Sequence, residues 1–189
     1  QIKSPDQKGL ASVIMIPEDI KKTIYDSLSK IREKYPEQFY YLPDQMHISV
    51  VGLTHIKKNF KLKETTLLKI KAILGNLTIA PFKITLKGFN LKPYSVFVEV
   101  HSEELNKLRS QIIKEIDDPD FDIDCINNFN PGYGWINVIK FQDNNARELV
   151  KELPEIDFGS FTAKEIKIFI TDHIFSVKEL KASYSFSAL

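Results

Sequence analysis

The sequence is poor in the residues that hold disulfides and metals: it has a single cysteine, Cys125, and four histidines in 189 residues. One cysteine cannot form an internal disulfide, and its thiol suits a reducing compartment. The cysteine and the histidines also lack the close spacing of zinc ligands. We therefore expect no metal site and no cofactor, and the sequence does not fit a disulfide-rich secreted domain.

Long apolar runs are also absent. No segment approaches the roughly 20 consecutive apolar residues that a membrane-spanning helix needs. The segment from Gln1 to Gly9 is polar and lacks the apolar centre of a signal peptide. We therefore expect a cytoplasmic protein without a membrane partner, and we expect it to be a monomer.

The composition is that of an ordinary globular protein, but the charge is unevenly spread. Hydrophobic residues make up 43% and charged residues 27%, which suits one sizeable core or two small lobes. Residues 1–88 carry 15 Lys and Arg against 8 Asp and Glu, a net of +7, whereas residues 89–189 carry 11 against 17, a net of −6. A basic half can attract a nucleotide or a nucleic acid, although solvated helix faces would account for the same excess.

The most informative stretch is 46–53, with the sequence MHISVVGL, which has the branched apolar residues of a short buried strand. Side chains on a strand alternate between faces, so His47 and Ser49 share one face while their apolar neighbours take the other. A proton-transfer group beside a hydroxyl donor suits the handling of a phosphate oxygen. The alternative is a core histidine satisfied by a backbone carbonyl.

Apolar periodicity predicts the remaining elements of the chain. The predicted helices are 18–35, 62–74, 102–116 and 145–153, and the predicted strands are 10–16, 46–53, 81–91, 94–100, 135–141, 163–171 and 182–189.

A strand–helix–strand order occurs twice along the chain. The first strands are 83 residues apart (Val13 and Val96), the helices 85 (Glu18 and Glu103) and the second strands 88 (His47 and Trp135). Such near-constant offsets favour two similar lobes related by a pseudo-twofold axis. We therefore predict one domain of two interleaved lobes, approximately 10–90 and 91–189, although common strand–helix–strand patterns could agree by chance.

With this order, the chain resembles the 2H phosphoesterase superfamily, which includes 2′-5′ RNA ligase and cyclic phosphodiesterase-like proteins. Element order carries the resemblance from Leu10 to Leu189, and residues 43–53 match the first of the family's two His-x-Ser/Thr motifs. The resemblance implies an α+β bilobal fold, with two pseudo-twofold-related lobes of antiparallel sheet and flanking helices around a central cleft. It also implies that His47 and Ser49 are catalytic. The partner would be RNA or a small nucleotide with a terminal or cyclic phosphate, and the reaction would be metal-independent cleavage or formation of a 2′,3′-cyclic phosphate or a 2′-5′ bond.

The second motif departs from the family pattern, because Trp135 and Asn137 stand where the family has His and Ser or Thr. An indole cannot shuttle a proton, and losing one proton-transfer group typically costs about 10²–10⁴ in rate. Asn137 can still donate to a phosphate oxygen. Trp135 could stack on a base, worth roughly 1–3 kcal/mol, or it could fill the cleft as an aromatic plug. Tyr133 and Lys140 flank the strand and are further candidate phosphate contacts.

Three functions remain open from the sequence. The first is a 2H phosphoesterase-like protein with weak or lost cyclic phosphodiesterase activity, in which His173 could replace the missing acid. The second is a non-catalytic module that binds RNA or nucleotides, and the third is a protein-interaction module. The first two require His47 and Ser49 on one cleft wall, with Trp135 across the cleft.

Overall fold

The structure is a computed structural model that describes residues 6–116, 134–142 and 146–187, with the side chains of 146 and 147 excepted. Two antiparallel sheets of five strands each enclose a shared core, and helices flank them. The helices are α1 (Glu18–Ser27), α2 (Ser29–Lys34), α3 (Glu64–Asn76), α4 (Glu103–Ile116) and α5 (Ala146–Val150), with a 3₁₀ turn at Pro43–Gln45. The strands are β1 (Gln7–Met15), β2 (Phe39–Tyr40), β3 (His47–Gly52), β4 (Lys57–Lys58), β5 (Phe82–Lys92), β6 (Ser95–His101), β7 (Gly134–Lys140), β8 (Gly159–Ala163), β9 (Glu165–Thr171) and β10 (Lys178–Ser185).

The two sheets repeat the same inner strand order. The first sheet runs β10-β9-β1-β3, with β4 paired to the start of β1, and the second runs β2-β7-β6-β5-β8. The inner order β9-β1-β3 therefore corresponds to β5-β6-β7, and every pairing is antiparallel. The predicted α+β architecture of two antiparallel sheets is confirmed.

The sheets do not follow the two halves of the chain. Strand β5 belongs to the first half but pairs in the second sheet, whereas β9 and β10 belong to the second half but pair in the first sheet. Each sheet therefore contains strands from both halves of the chain.

Two predicted elements differ in the structure. The helix predicted over 18–35 breaks at Leu28, whose N–H donates to the Tyr25 carbonyl in a 3₁₀-type bond of 3.3 Å. The Arg32 guanidinium also donates to that carbonyl, so it is not available to continue the α-helical ladder. The strand predicted over 163–171 is β9, which begins at Glu165, whereas β8, which precedes it and lies in the other sheet, was not predicted.

Strands β3 and β7 approach each other across the space between the sheets. Both show the expected alternation: Ile48 and Val50 are buried on β3, and Ile136 and Val138 are buried on β7. The intervening polar positions are partly exposed on both strands. The helices of the described residues include none that is both long and apolar enough to cross a membrane.

Candidate functional site

A cavity of about 210 Å³ lies between β3 and β7. Side chains from both strands, from the start of β1 and from the segment after β9 form its walls. The lining residues are Gly9, Leu10, Ala11, Tyr41, His47, Ser49, Gly52, Thr54, Ile56, Trp135, Asn137, Thr171, Asp172, His173 and Phe175. The structure therefore brings together His47, Ser49, Trp135 and Asn137, with the first two on one wall and the last two on the other.

Two further residues proposed from the sequence are not part of this cavity as described. Tyr133 lies outside the described residues. Lys140 ends β7, where it pairs with Ser95 and Phe39, and it is not among the residues that line the cavity. Its backbone lies three residues beyond Asn137, about 10 Å further along the strand. The phosphate contact expected from Lys140 stays a prediction.

The His47 ring is held by one hydrogen bond and one stacking contact. Its Nδ1 lies 2.8 Å from the carbonyl oxygen of Gln45. Since a carbonyl only accepts, Nδ1 carries the hydrogen in the neutral ring, and Nε2 is the basic nitrogen. The ring stacks on Phe175, with centroids 4.0 Å apart and planes inclined by 29°. His47 is thus hydrogen-bonded to a backbone carbonyl, as expected for a core histidine. It also lines a cavity, which a core histidine would not do.

Burial lowers the pKa of His47 to about 4. The positive charges of Lys178 and Lys21 act in the same direction, while the Gln45 carbonyl opposes them by stabilising the protonated ring. His47 is therefore a neutral imidazole at pH 7, able to accept a proton at Nε2.

Hydrogen bonds hold the segment from 172 to 177 against His47. The Asp172 carboxylate accepts hydrogen bonds from the backbone N–H of Ser176 at 2.7 Å and from the Ser176 hydroxyl. Gln45 Nε2 donates to the Ile174 carbonyl at 3.2 Å, which ties this segment to the 3₁₀ turn. Phe175 has a φ of 57°, a left-handed conformation that is strained for an aromatic residue. These contacts hold the Phe175 ring against His47.

Arg109 stabilises the backbone of β3 by two hydrogen bonds. It projects from α4 and is 4% exposed. Its Nε donates to the Val50 carbonyl at 3.1 Å and its Nη2 to the Ser49 carbonyl at 2.7 Å. β3 is the last strand of its sheet, so its outer edge has no neighbouring strand to satisfy its backbone groups. Burial lowers the pKa of Arg109 to about 10, so the guanidinium remains charged at neutral pH.

Arg109, Asp172 and Phe175 were not identified from the sequence. For Arg109 the signal is a basic residue beside the apolar stripe of α4, which contains Leu105, Leu108 and Ile112. For the segment after β9 the signal is Asp172 itself, because Asp side chains commonly accept hydrogen bonds from nearby backbone N–H groups in turns. No local pattern indicates the stacking of Phe175 on His47.

The opposite wall presents an indole that is already paired with a cation. Lys92 Nζ lies 3.0 Å from the centroid of the Trp135 ring and 5.0 Å from that of Phe97. Burial lowers the pKa of Lys92 to about 8. One face of the indole is thus covered, and a base could stack only on the other face. Since the cavity persists beside it, Trp135 does not fill the cleft.

A second imidazole also reaches the cavity. His173 lies in the segment after β9 and lines the same space as His47. Tyr41 lies there too, and burial together with the charge of Asp172 raises the pKa of its hydroxyl to about 12, so it remains a donor at neutral pH. In the part of the chain that the structure describes, no group of three or more His, Cys, Asp or Glu is placed to hold a metal. The available chemistry is that of a neutral imidazole and several hydrogen-bond donors.

No protein-family profile matches the chain. No curated protein sequence matches it either. Solved structures do match over almost its whole length. TT0787 of Thermus thermophilus is 16% identical with a TM-score of 0.71, covering 94% of this chain and 97% of that one. E. coli LigT complexed with NADP+ is 12% identical with a TM-score of 0.66, covering 97% and 99%.

LigT complexed with 3′-AMP is likewise 12% identical, with a TM-score of 0.64 and the same coverage. A structure described as a phosphoesterase is 11% identical with a TM-score of 0.65, covering 96% of this chain and 99% of that one. The chain therefore has the bilobal fold of these proteins, as the resemblance to 2H phosphoesterases predicted.

Proposed function

We propose that this chain binds the phosphate of a nucleotide or an RNA end in the cavity between β3 and β7. There it acts as a weak, metal-independent phosphodiesterase of the 2H phosphoesterase type. The observation that carries the proposal is the placement of His47 and Ser49 on one wall of a cavity whose other wall holds Asn137. The ligands of LigT support it, because NADP+, ATP and 3′-AMP all contain phosphate.

His47, Ser49 and Asn137 have separate roles in the hydrolysis of a 2′,3′-cyclic phosphate. His47 Nε2 takes a proton from the attacking water, whose oxygen bonds to phosphorus while one ring P–O bond breaks. The Ser49 hydroxyl and the Asn137 amide donate to the phosphoryl oxygens as negative charge develops. The product is a phosphomonoester, and the released ribose oxygen takes up a proton.

The leaving oxygen needs a proton donor, and the altered second motif does not supply one. Trp135 stands where the second motif histidine would stand, and an indole N–H does not exchange protons with a substrate. His173 lines the same cavity and is the candidate replacement. Without an efficient acid the rate falls by about 10²–10⁴, so we expect slow turnover.

A second candidate function is binding without turnover. The contact between Lys92 and Trp135 favours it, because an aromatic ring backed by an ammonium makes a platform suited to a nucleotide rather than a proton relay. This module would use the same cavity and the same phosphate contacts. In either form, we propose a monomeric, cytoplasmic protein.

The test is hydrolysis of 2′,3′-cyclic AMP in the presence of EDTA, followed by chromatography of the products. We expect slow hydrolysis by the wild type and at least a tenfold loss for His47→Ala. The control is His101→Ala, which removes an imidazole that does not line the cavity and should retain the wild-type rate.

Calorimetric binding of 3′-AMP separates the two functions. Binding by the wild type, with both wild type and His47→Ala at background hydrolysis, would support the binding module over the enzyme. Absence of both binding and hydrolysis in the wild type would overturn the proposal.

A further inference from the structure

Tyr41 lines the cavity but has no role in the chemistry proposed above. It directly follows β2, and its backbone N–H donates to the Val138 carbonyl at 3.0 Å, which extends the pairing of β2 with β7 by one residue. Val138 comes next to Asn137 on β7. The backbone therefore anchors Tyr41 beside the strand that carries the altered second motif.

The Tyr41 side chain is buried, but its hydroxyl is not engaged. The residue is only 5% exposed, and its ring packs edge-on against Phe39 with centroids 5.1 Å apart. In the described part of the chain no hydrogen bond engages the hydroxyl, and its oxygen is not enclosed on all sides by protein atoms. A buried donor that opens into a cavity without an internal partner is suited to a bound ligand.

The Tyr41 hydroxyl keeps its proton at neutral pH. Desolvation and the negative charge of Asp172 raise its pKa to about 12. A phenol of this kind transfers its proton only to a strongly basic oxygen. The ribose oxygen that leaves phosphorus becomes such a base as its P–O bond breaks, whereas the phosphoryl oxygens do not. The hydroxyl therefore suits the leaving oxygen rather than the phosphate.

We propose that Tyr41 is the proton donor for the leaving oxygen. His47 Nε2 takes a proton from the attacking water, and the water oxygen bonds to phosphorus. As the ring P–O bond breaks, the Tyr41 hydroxyl proton moves to the departing ribose oxygen. The imidazolium of His47 then loses one proton to solvent and the tyrosinate of Tyr41 gains one, which restores both groups. The inference rests on the proposed function, because it takes His47 to activate the water.

This assignment makes the contribution of Tyr41 depend on the leaving group. A leaving group that is stable as an anion departs without a proton, so it does not need the hydroxyl. A phenol is also a weaker acid than the imidazolium of a second motif histidine, so turnover stays slow. His173 lines the same cavity and is the competing donor, and the experiment separates the two.

The experiment compares two substrates in the presence of EDTA, for the wild type and for Tyr41→Phe. One is 2′,3′-cyclic AMP, whose leaving group is a ribose oxygen. The other is thymidine 5′-p-nitrophenyl phosphate, whose leaving group is p-nitrophenolate. His173→Gln tests the competing donor. The control is Tyr94→Phe, because Tyr94 is 77% exposed and does not line the cavity. Circular dichroism of each variant checks that the fold is retained.

We expect Tyr41→Phe to hydrolyse 2′,3′-cyclic AMP at least tenfold more slowly than the wild type does. It should hydrolyse the p-nitrophenyl ester within about twofold of the wild-type rate, because p-nitrophenolate leaves without a proton. His173→Gln should show no such difference between the two substrates. Tyr94→Phe should match the wild type on both.

Three other outcomes would overturn the inference. An unchanged rate in Tyr41→Phe, or an equal loss on both substrates, would show that the hydroxyl does not serve the leaving oxygen. A loss confined to 2′,3′-cyclic AMP that occurs in His173→Gln and not in Tyr41→Phe would assign the proton to His173. Both results would leave the proposed function standing. Hydrolysis by the wild type no faster than by His47→Ala, on either substrate, would overturn the proposed enzyme and the inference together.

Discussion

The partly buried imidazole of His47 makes the stability of the protein depend on pH. In the folded chain its pKa is about 4, because the ring is buried against Phe175 and lies near Lys178 and Lys21. In the unfolded chain a histidine has a pKa of about 6.5. Between these values the unfolded chain binds a proton that the folded chain does not, so the free energy of unfolding falls as the pH is lowered.

The size of this effect follows from the two pKa values. Each pH unit in the window contributes about 1.36 kcal/mol. From pH 7 to pH 4.5 we therefore expect His47 to remove about 2 kcal/mol of stability. The measurement stops at pH 4.5 because carboxylates with lowered pKa values, such as Glu165, begin to lose their own stabilising contribution at lower pH.

The assay is urea unfolding at pH 7, 6, 5 and 4.5, followed by fluorescence of Trp135, the only tryptophan, and by circular dichroism. The test variant is His47→Asn, whose side-chain amide can still donate to the Gln45 carbonyl but does not titrate. The absence of ring stacking lowers its stability at every pH, so the comparison concerns the pH slope alone. His101→Asn is the matched control, because His101 is partly exposed and pairs with Glu99.

We expect the variant to lose about 2 kcal/mol of pH dependence that the wild type and His101→Asn retain. An NMR titration of the His47 ring should place its pKa well below that of a free histidine. A pKa near 6.5, or the same slope in the wild type and His47→Asn, would refute the reasoning that burial keeps this ring neutral.

Three further predictions concern residues that line the cavity or contact its lining strands. Replacing Arg109 by Met leaves two backbone carbonyls of β3 without their donor. It should lower the free energy of unfolding in urea by about 2–4 kcal/mol, and Arg109→Lys should recover part of that loss. A loss below about 0.5 kcal/mol would contradict the role of Arg109 in stabilising β3. Gly9→Ala should cost about 1–2 kcal/mol in the same assay, because the added methyl meets Ile56 and neighbouring carbonyls at 3.0–3.2 Å; an unchanged midpoint would count against this close approach. The fluorescence of Trp135 should change with a midpoint near pH 8 as Lys92 loses its proton, and this transition should be missing in Lys92→Met; its persistence would assign the titration to another group.

The local pattern of the sequence was sufficient to predict the two strands of the site. In both β3 and β7, polar residues two apart alternate with branched apolar residues, and alternation on a strand places such pairs on one face. The repeated strand–helix–strand order predicted the two similar sheets. These features are local, or depend only on the order of elements.

Two features escaped prediction because the pattern of apolar residues does not encode them. The exchange of β5 and β9 between the sheets depends on which edge each returning strand meets, and its apolar pattern suits either edge. The break at Leu28 depends on the Arg32 side chain returning to the Tyr25 carbonyl. The helical spacing of apolar residues over 18–35 carries no sign of this side-chain contact. The sequence therefore predicted one continuous helix.

The sequence by itself determined that His47 and Ser49 share a face, because strand geometry leaves no other choice. Only the tertiary structure decided what that face meets. Gln45 and Ile174, which join the turn before β3 to the segment over His47, are 129 positions apart along the chain. The pKa of His47 depends on that packing, because desolvation is set by the atoms that surround a group in space rather than by its neighbours in sequence.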